Sequence, residues 1–281
     1  MKTVCIYHSR DLDGWMSGAI VKAAYAGIEL LGWDYGKQIP DLKDYDQIVM
    51  VDISFPREVM KSISGKLIWI DHHISAIKDM AESEPLPFYK GLRNEKKAAC
   101  ELTWEYFFVG KKMPEIVRLL GRYDCFGHKG TDEEQKVLEF QYAARTYWKS
   151  LNDCYDALFQ NDDRIVGLFG ELGKGIYKYL CTEAEQTYAN RFTIELDGYY
   201  FACVNKERFN PINCGIDYHN DKANNDHCYD GLACFWYSND KYNYSLYNDN
   251  GEVDCSVIAK NRGGGGHKGA SGFITTQIIS H

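Results

Sequence analysis

The sequence contains no Cys-x-x-Cys pair; its ten cysteines (Cys5, Cys100, Cys125, Cys154, Cys181, Cys203, Cys214, Cys228, Cys234 and Cys255) are scattered. That spacing argues against a zinc ribbon or a thioredoxin-like redox site, and 281 residues is too long for a disulfide-stapled miniprotein. Long apolar runs are also missing. None approaches the ~18 residues a membrane span needs, so no membrane partner is expected. The N-terminus enters a strand-like Thr3-Val4-Cys5-Ile6-Tyr7 without a signal-peptide pattern, which makes a cytoplasmic protein with reduced thiols the default. Basic charge is in deficit: Lys and Arg number 32 against 40 Asp and Glu, a formal net charge of −8. This disfavours a broad surface for long duplex nucleic acid and leaves room for a local basic pocket that takes a short anionic ligand. The 45% hydrophobic content is enough for a sizeable core, in one large domain or two.

The organising stretch is Leu67-Ile68-Trp69-Ile70-Asp71-His72-His73. Four apolar residues without helical spacing suit a central strand of a parallel sheet. In open α/β sheets chemistry collects past the carboxyl ends of strands, where Asp71, His72 and His73 fall. The competing reading, ranked lower, has Asp71 cap the next helix beside two surface histidines. Residues 3–7 read as a first strand followed by His8-Ser9-Arg10-Asp11-Leu12-Asp13-Gly14 and a helix from Met16 to Ala26. There too a cation site competes with a polar loop in which Asp13 is an N-cap. Gly27–Trp33 reads as a second strand and Gln47–Val51 as a third, ending in Asp52. Alternation of strands and helices implies right-handed crossovers and a parallel sheet. Three strand ends carrying His and Asp would then share one edge.

Beyond the sheet the pattern turns helical. Asn94 is a candidate N-cap for a helix with Ala99, Leu102, Thr103, Tyr106 and Phe107 on one face, and Pro114 opens another with Ile116, Val117, Leu120 and Tyr123 inward. That helix ends at Asp124, where a carboxylate opposes the helix dipole; a local misfit of this kind points to function. Residues 131–190 read as mostly helical, with Glu183–Arg191 leading into a linker. A second domain begins near Phe192, with strands Phe192–Leu196 and Tyr199–Val204, a helix after Pro211, and a hairpin of Leu232–Tyr237 and Tyr242–Tyr247. Near the end, Arg262-Gly263-Gly264-Gly265-Gly266-His267-Lys268 removes four successive Cβ atoms between charged residues, a way to let phosphate approach the backbone.

Together Asp11-Leu12-Asp13-Gly14, Asp52, Asp71-His72-His73, Asp124 and Gly263–His267 resemble, in order, the motifs of the DHH phosphoesterase superfamily with a C-terminal DHHA1-type domain. Within it the chain is most similar to the short oligoribonuclease (nanoRNase) phosphodiesterases. The resemblance implies an α/β fold: a parallel sheet flanked by helices over residues 1–185, joined by a helical linker to a smaller α/β domain over 192–281. It implies two divalent cations, Mn²⁺ first, with Mg²⁺ or Co²⁺ as alternatives. His8, Asp11 and Asp52 would hold one cation; Asp13, Asp52, His72 and Asp124 the other. His73 would contact the scissile phosphate or leaving group, and Asp71 would orient the histidines. Arg262, Gly264, Gly265, Gly266, His267 and Lys268 would grip another phosphate of the substrate. Two departures stand out: His8 lies one residue closer to the paired aspartates than in many members, and Tyr247 replaces an Arg common in nucleotide-handling members. The expected activity is hydrolysis of short oligoribonucleotides or related nucleotides to 5′-mononucleotides, with a homodimer left open. Rival readings are a 3′-phosphoadenosine 5′-phosphate phosphatase, a cyclic-dinucleotide phosphodiesterase, an exopolyphosphatase, a catalytically silent nucleotide or metal sensor, or a metal-storage protein.

Overall fold

The structure, a computed structural model, describes residues 1–82, 89–160, 162–207, 214–221 and 228–279. Strands β1 (Thr3–His8), β2 (Glu29–Trp33), β3 (Gln47–Val51) and β4 (Leu67–Ile70) form a sheet in the order β2-β1-β3-β4. Every pairing in it is parallel. Helix α1 (Leu12–Ala24) connects β1 to β2, and α2 (Arg57–Ile63) connects β3 to β4. The alternation along the strands is apolar on both sides. Val4, Ile6, Ile48, Met50 and Trp69 pack with Met60 of α2. Cys5, Val49, Val51, Ile68 and Ile70 pack with Val21 of α1. Each such buried side chain is worth roughly 1.5–3 kcal/mol of transfer free energy, which is why these strands read as unbroken apolar runs. The chain places β2 on one side of β1 and β3 on the other, so the strand order reverses between β1 and β3. A crevice at the carboxyl ends of those two strands is where such sheets bind ligands.

The helices that follow are α3 (Ile74–Ala81), α4 (Ala99–Phe107), α5 (Glu115–Asp124), α6 (Glu134–Tyr147), α7 (Leu151–Leu158) and α8 (Asp162–Ala189). Asn94 is not the cap of α4. Its Oδ1 accepts the Lys96 N–H in a turn, and Ala98 stands at the cap position with its own N–H donated to Glu101.

The chain divides into two compact units, Met1–Ile176 and Tyr177–His281. The stretch expected as a linker, Glu183–Arg191, continues α8 as far as Ala189. The reason is burial within the second unit: Ala184 packs with Val204 and Cys234, and Tyr188 packs with Ala202 and Tyr218. This unit has β5 (Phe192–Leu196), β6 (Tyr199–Asn205), β7 (Gly231–Ser238), β8 (Lys241–Tyr247), helix α9 (Cys255–Lys260), β9 (Gly265–His267) and β10 (Ala270–Thr275). Its mixed sheet runs β5-β6-β7-β8-β10-β9. The β7–β8 hairpin turns through Asn239 and Asp240, both at positive φ (50° and 57°), the pair of conformations that a two-residue type I′ turn requires. The start of the helix expected after Pro211 lies outside the described residues, and no α-helix is present in the described residues 214–221.

Candidate metal centre

At the end of β1, Asp11 is the N-cap of α1. Its Oδ1 accepts the Gly14 N–H at 2.9 Å, and its Oδ2 lies 2.9 Å from His8 Nδ1. Asp13 is inside the first turn of the helix rather than at its cap. Gly14 permits this close seating, because a Cβ there would stand 2.1 Å from the His8 carbonyl oxygen. At the end of β3, Asp52 adopts φ 59°, a left-handed conformation that a non-glycine residue holds only at a cost. Its buried carboxylate is turned into the edge of the sheet, with Oδ2 at 3.3 Å from His8 Nδ1 and Oδ1 at 3.4 Å from His72 Nε2. At the end of β4, fully buried Asp71 holds both following histidines. Its Oδ1 accepts the backbone N–H groups of His72 (2.8 Å) and His73 (3.1 Å) and pairs with His73 Nδ1 at 2.7 Å. Its Oδ2 accepts Trp69 Nε1–H at 3.2 Å. Through these contacts Asp71 fixes the backbone of both histidines and the His73 ring.

His72 Nε2 is the meeting point of the second group: Asp124 Oδ2 lies at 3.2 Å, Asp52 Oδ1 at 3.4 Å and Asp13 Oδ2 at 3.7 Å. The structure thus gathers His8, Asp11 and Asp52 on one side and Asp13, Asp52, His72 and Asp124 on the other, with Asp52 common to both. The ligand atoms of His8, Asp11 and Asp52, and separately of Asp52, His72 and His73, lie within 4.8 Å of one another.

The electrostatics show what the site is built for. Burial, reinforced by the charge of Asp52, pushes the Asp13 carboxyl up to about 7. Burial together with Asp13 pushes Asp124 up to about 7 as well, and burial with Asp11 raises Asp52. Burial would lower His8, but hydrogen bonds to Asp11 and Asp52 outweigh it and raise the ring to about 10. His72 and His73 are raised against the same opposition from burial, the first by Asp52 and the second by Asp71. Against the opposition of desolvation, His8 holds the partly exposed Asp11, and His73 the fully buried Asp71, below the usual carboxylate range. Buried carboxylates crowded beyond what the imidazoles neutralise are the environment a divalent cation relieves. A direct sign is Asp52 Oδ1, a buried oxygen that has His72 Nε2 at 3.4 Å but makes no hydrogen bond of good geometry among the described residues. Cys125 groups with His72 and Asp124, but the donors around Asp52 are carboxylate oxygen and imidazole nitrogen, which suits Mn²⁺ or Mg²⁺.

Two residues of this neighbourhood were not singled out from the sequence. Asp34 follows β2 as Asp52 and Asp71 follow β3 and β4; its Oδ1 lies 3.6 Å from His8 Nε2 and its Oδ2 accepts from Arg10 at 3.3 Å. The recurrence of Asp after a strand was the available signal. Cys125 places Sγ 3.8 Å from His72 Nδ1, so His72 has the thiol at one nitrogen and the acids at the other. Only its position after Asp124 hinted at it.

The expected phosphate grip lies in the second unit. Arg262 is engaged there by Asp197, with Nη2 to Oδ1 at 2.7 Å and Nη1 to Oδ2 at 3.1 Å, and it also donates to the Ile258 carbonyl. The glycine run is an edge strand, not an open loop: Gly265, Gly266 and His267 of β9 pair with β10. A Cβ on Gly264 would stand 2.1 Å from the Gly272 carbonyl oxygen, and Gly266 has φ 139°, so packing and backbone conformation demand both. A Cβ on Gly265 would meet nothing within 4 Å among the described residues. Gly266, His267 and Lys268 are exposed on that edge, and Gly265 is half-buried.

No protein-family profile matches the chain. It is 25% identical, over an alignment of 307 residues, to an uncharacterised protein of Acanthamoeba polyphaga mimivirus, covering 98% of this chain and 68% of that protein. Its structure is similar to that of the pGpG-specific phosphodiesterase PggH from Vibrio cholerae, with a TM-score of 0.54 and 12% identity over 98% of this chain and 93% of that one. It is also similar to RecJ from Thermus thermophilus in complex with Mn²⁺, with a TM-score of 0.51 and 14% identity over 97% of this chain. The match covers 49% of RecJ, so the chain spans about half of that protein's length. The chain has the fold of the DHH phosphoesterases that its motifs resemble.

Proposed function

We propose that the chain is a phosphodiesterase, dependent on divalent metal, that hydrolyses short oligoribonucleotides or related nucleotides to 5′-mononucleotides. The observation that carries this reading is Asp52: a buried carboxylate on a left-handed backbone, shared between two His/Asp groups whose ligand atoms each lie within 4.8 Å of one another. His8, Asp11 and Asp52 would hold one cation, and Asp13, Asp52, His72 and Asp124 a second. Mn²⁺ is the first choice, with Mg²⁺ or Co²⁺ as alternatives. A pair of such ions lowers the pKa of a bound water and neutralises charge on the phosphoryl group.

The chain's own residues supply the rest. Asp71 holds His73 Nδ1, which fixes the ring and directs its other edge toward substrate. Against the opposition of burial, the hydrogen bond to Asp71 raises the His73 pKa, which favours the protonated ring that would bind a non-bridging phosphate oxygen or protonate the leaving 3′ oxygen. Water then adds hydroxide to phosphorus, the P–O3′ bond breaks, and the departing oxygen takes the proton. Gly265, His267 and Lys268 would bind a further phosphate of the substrate.

The test is a hydrolysis panel with Mn²⁺: an RNA dinucleotide, an RNA pentamer, cyclic di-AMP, 3′-phosphoadenosine 5′-phosphate and inorganic polyphosphate, each beside Asp52→Ala. Cleavage of the dinucleotide to 5′-mononucleotides, lost in the variant, is the expected result. Turnover of only another member of the panel reassigns the substrate. No turnover of any member by metal-loaded protein replaces the enzyme with a silent sensor.

A further inference from the structure

Beside the metal centre, at the ends of β2 and β3, lies a pocket of about 390 Å³ walled by Trp33, Tyr35, Lys37, Ile39, Phe55 and Pro56. That volume is at the small end of ligand sites, which run on the order of 300–1,000 Å³. Resting on the phosphodiesterase reading, we propose that this pocket seats a nucleobase of the substrate whose phosphate reaches the metal centre.

The pocket is built rather than incidental. Trp33 and Phe55 are buried and meet edge to face, with ring centroids 4.8 Å apart. Trp33 Nε1–H donates to the Gln38 carbonyl at 3.2 Å, which closes the loop behind the indole. Tyr35 meets Trp33 at 5.6 Å but is itself 55% exposed. It occupies the second position of a tight turn in which the Lys37 N–H donates to the Asp34 carbonyl at 3.2 Å. Gly36, at φ 83°, supplies the left-handed third position of a type II turn. The Tyr35 N–H donates to Asp34 Oδ1 at 2.9 Å, so the turn is tied by the same carboxylate that faces His8. Ser54 lines the pocket beside Tyr35. An aromatic ring held in place and left open on one face is preorganised for stacking.

Its position selects the occupant. The Tyr35 and His8 ring centroids are 6.4 Å apart, and Ser54 and Phe55 follow directly from the loop that begins at Asp52. A group bound there is therefore contiguous with a phosphoester at the metal ligands. The walls are aromatic and aliphatic with one cation, Lys37, which suits a base with a neighbouring phosphate and does not suit a chain of phosphates. Such a pocket favours a nucleotide substrate over polyphosphate on the same scaffold.

The experiment compares kcat/KM of the full-length protein with Mn²⁺ on an RNA dinucleotide and on the same dinucleotide with the bases removed. In Tyr35→Ala the ratio of the two falls roughly tenfold or more, the scale of losing one base–aromatic stack. Tyr35→Phe, which keeps the ring, retains the ratio. An unchanged ratio in Tyr35→Ala overturns the pocket while leaving the phosphodiesterase reading intact. If the wild type hydrolyses neither substrate, that reading fails, and titration of AMP against the Trp fluorescence decides the pocket by itself. Binding that weakens in Tyr35→Ala supports it; no binding, or equal binding in both proteins, overturns it.

Discussion

Asp13 and Cys100, 87 residues apart, are joined by a hydrogen bond of 2.8 Å from the Cys100 N–H to Asp13 Oδ1. The second carboxylate oxygen accepts the Ala99 N–H at 2.9 Å. A residue in the first turn of α1 thereby satisfies the open donors at the start of α4, which Ala98 at the cap position has no side chain to reach. The same Oδ2 faces His72 at 3.7 Å. One carboxylate thus joins the two helices and contributes to the metal centre.

Asp13→Ala should therefore show two separable effects. Loss of the cap costs about 1 kcal/mol, partly offset by removing a buried acid that repels Asp52. The stabilisation by Mn²⁺, about 2.7 kcal/mol at a hundredfold excess over Kd for an intact site, should largely disappear. Thermal melting with chelator and with Mn²⁺ reads the two effects independently.

Asp52→Asn should fold, because Asn tolerates the left-handed conformation at this position as well as Asp does. Turnover should fall by about 10²-fold or more, since several kcal/mol of transition-state charge stabilisation depends on bound metal. Without metal the variant should melt higher than the wild type, because a buried charge beside Asp11 has gone. A lower melting temperature would show that Asp52 has a structural role its geometry does not suggest.

The metal-free protein should lose stability as pH rises from about 5 to 9. Asp13 and Asp124 titrate at about 7 when folded, above the ordinary 3.8, so the folded chain retains protons that the unfolded chain has released. Their contribution is complete below 3.8 and declines as pH climbs to about 7. His8, raised from 6.5 to about 10, contributes fully below 6.5 and is lost toward 10, a slope of the same sign. Asp11 and Asp71, which are lowered, act in the opposite sense but only in the acid range. Mn²⁺ should flatten the profile, and denaturant titrations across pH with and without it provide the check.

The glycine run should divide by position. Gly264→Ala and Gly266→Ala force a Cβ against β10 and should cost about 1–3 kcal/mol, as overpacking does. Gly265→Ala meets open space and should leave the melting temperature unchanged. A rise in KM for the dinucleotide in Gly265→Ala would then report close approach of substrate to the β9 backbone. An unchanged KM would remove β9 from the substrate's path.

Much of the metal centre was legible because a parallel sheet has polarity. Apolar runs that end in His8, Asp52 and Asp71 must bring those ends to one edge once the strands are parallel. The misfit of Asp124 at the end of α5 pointed the same way, and its carboxylate lies against His72. Less visible were Asp34, one Asp among many in a loop, and Cys125, whose neighbour is 53 residues away in the chain. Arg262 shows the converse: a cation beside a glycine run suggests phosphate, while Asp197, 65 residues earlier, engages it in an ion pair.

By itself, then, the sequence determined the class of fold, the edge of the sheet where the polar groups gather and the chemical type of the donors. These follow from local periodicity and residue chemistry, which act over a few positions. The tertiary structure alone decided that Asp13 closes α4, that the Asp52 carboxylate stands between His8 and His72, that Tyr35 stands beside His8, and that packing among the described residues demands Gly264 but not Gly265. Each of these depends on distances of a few ångströms between segments remote in the chain, and only the packed fold sets them.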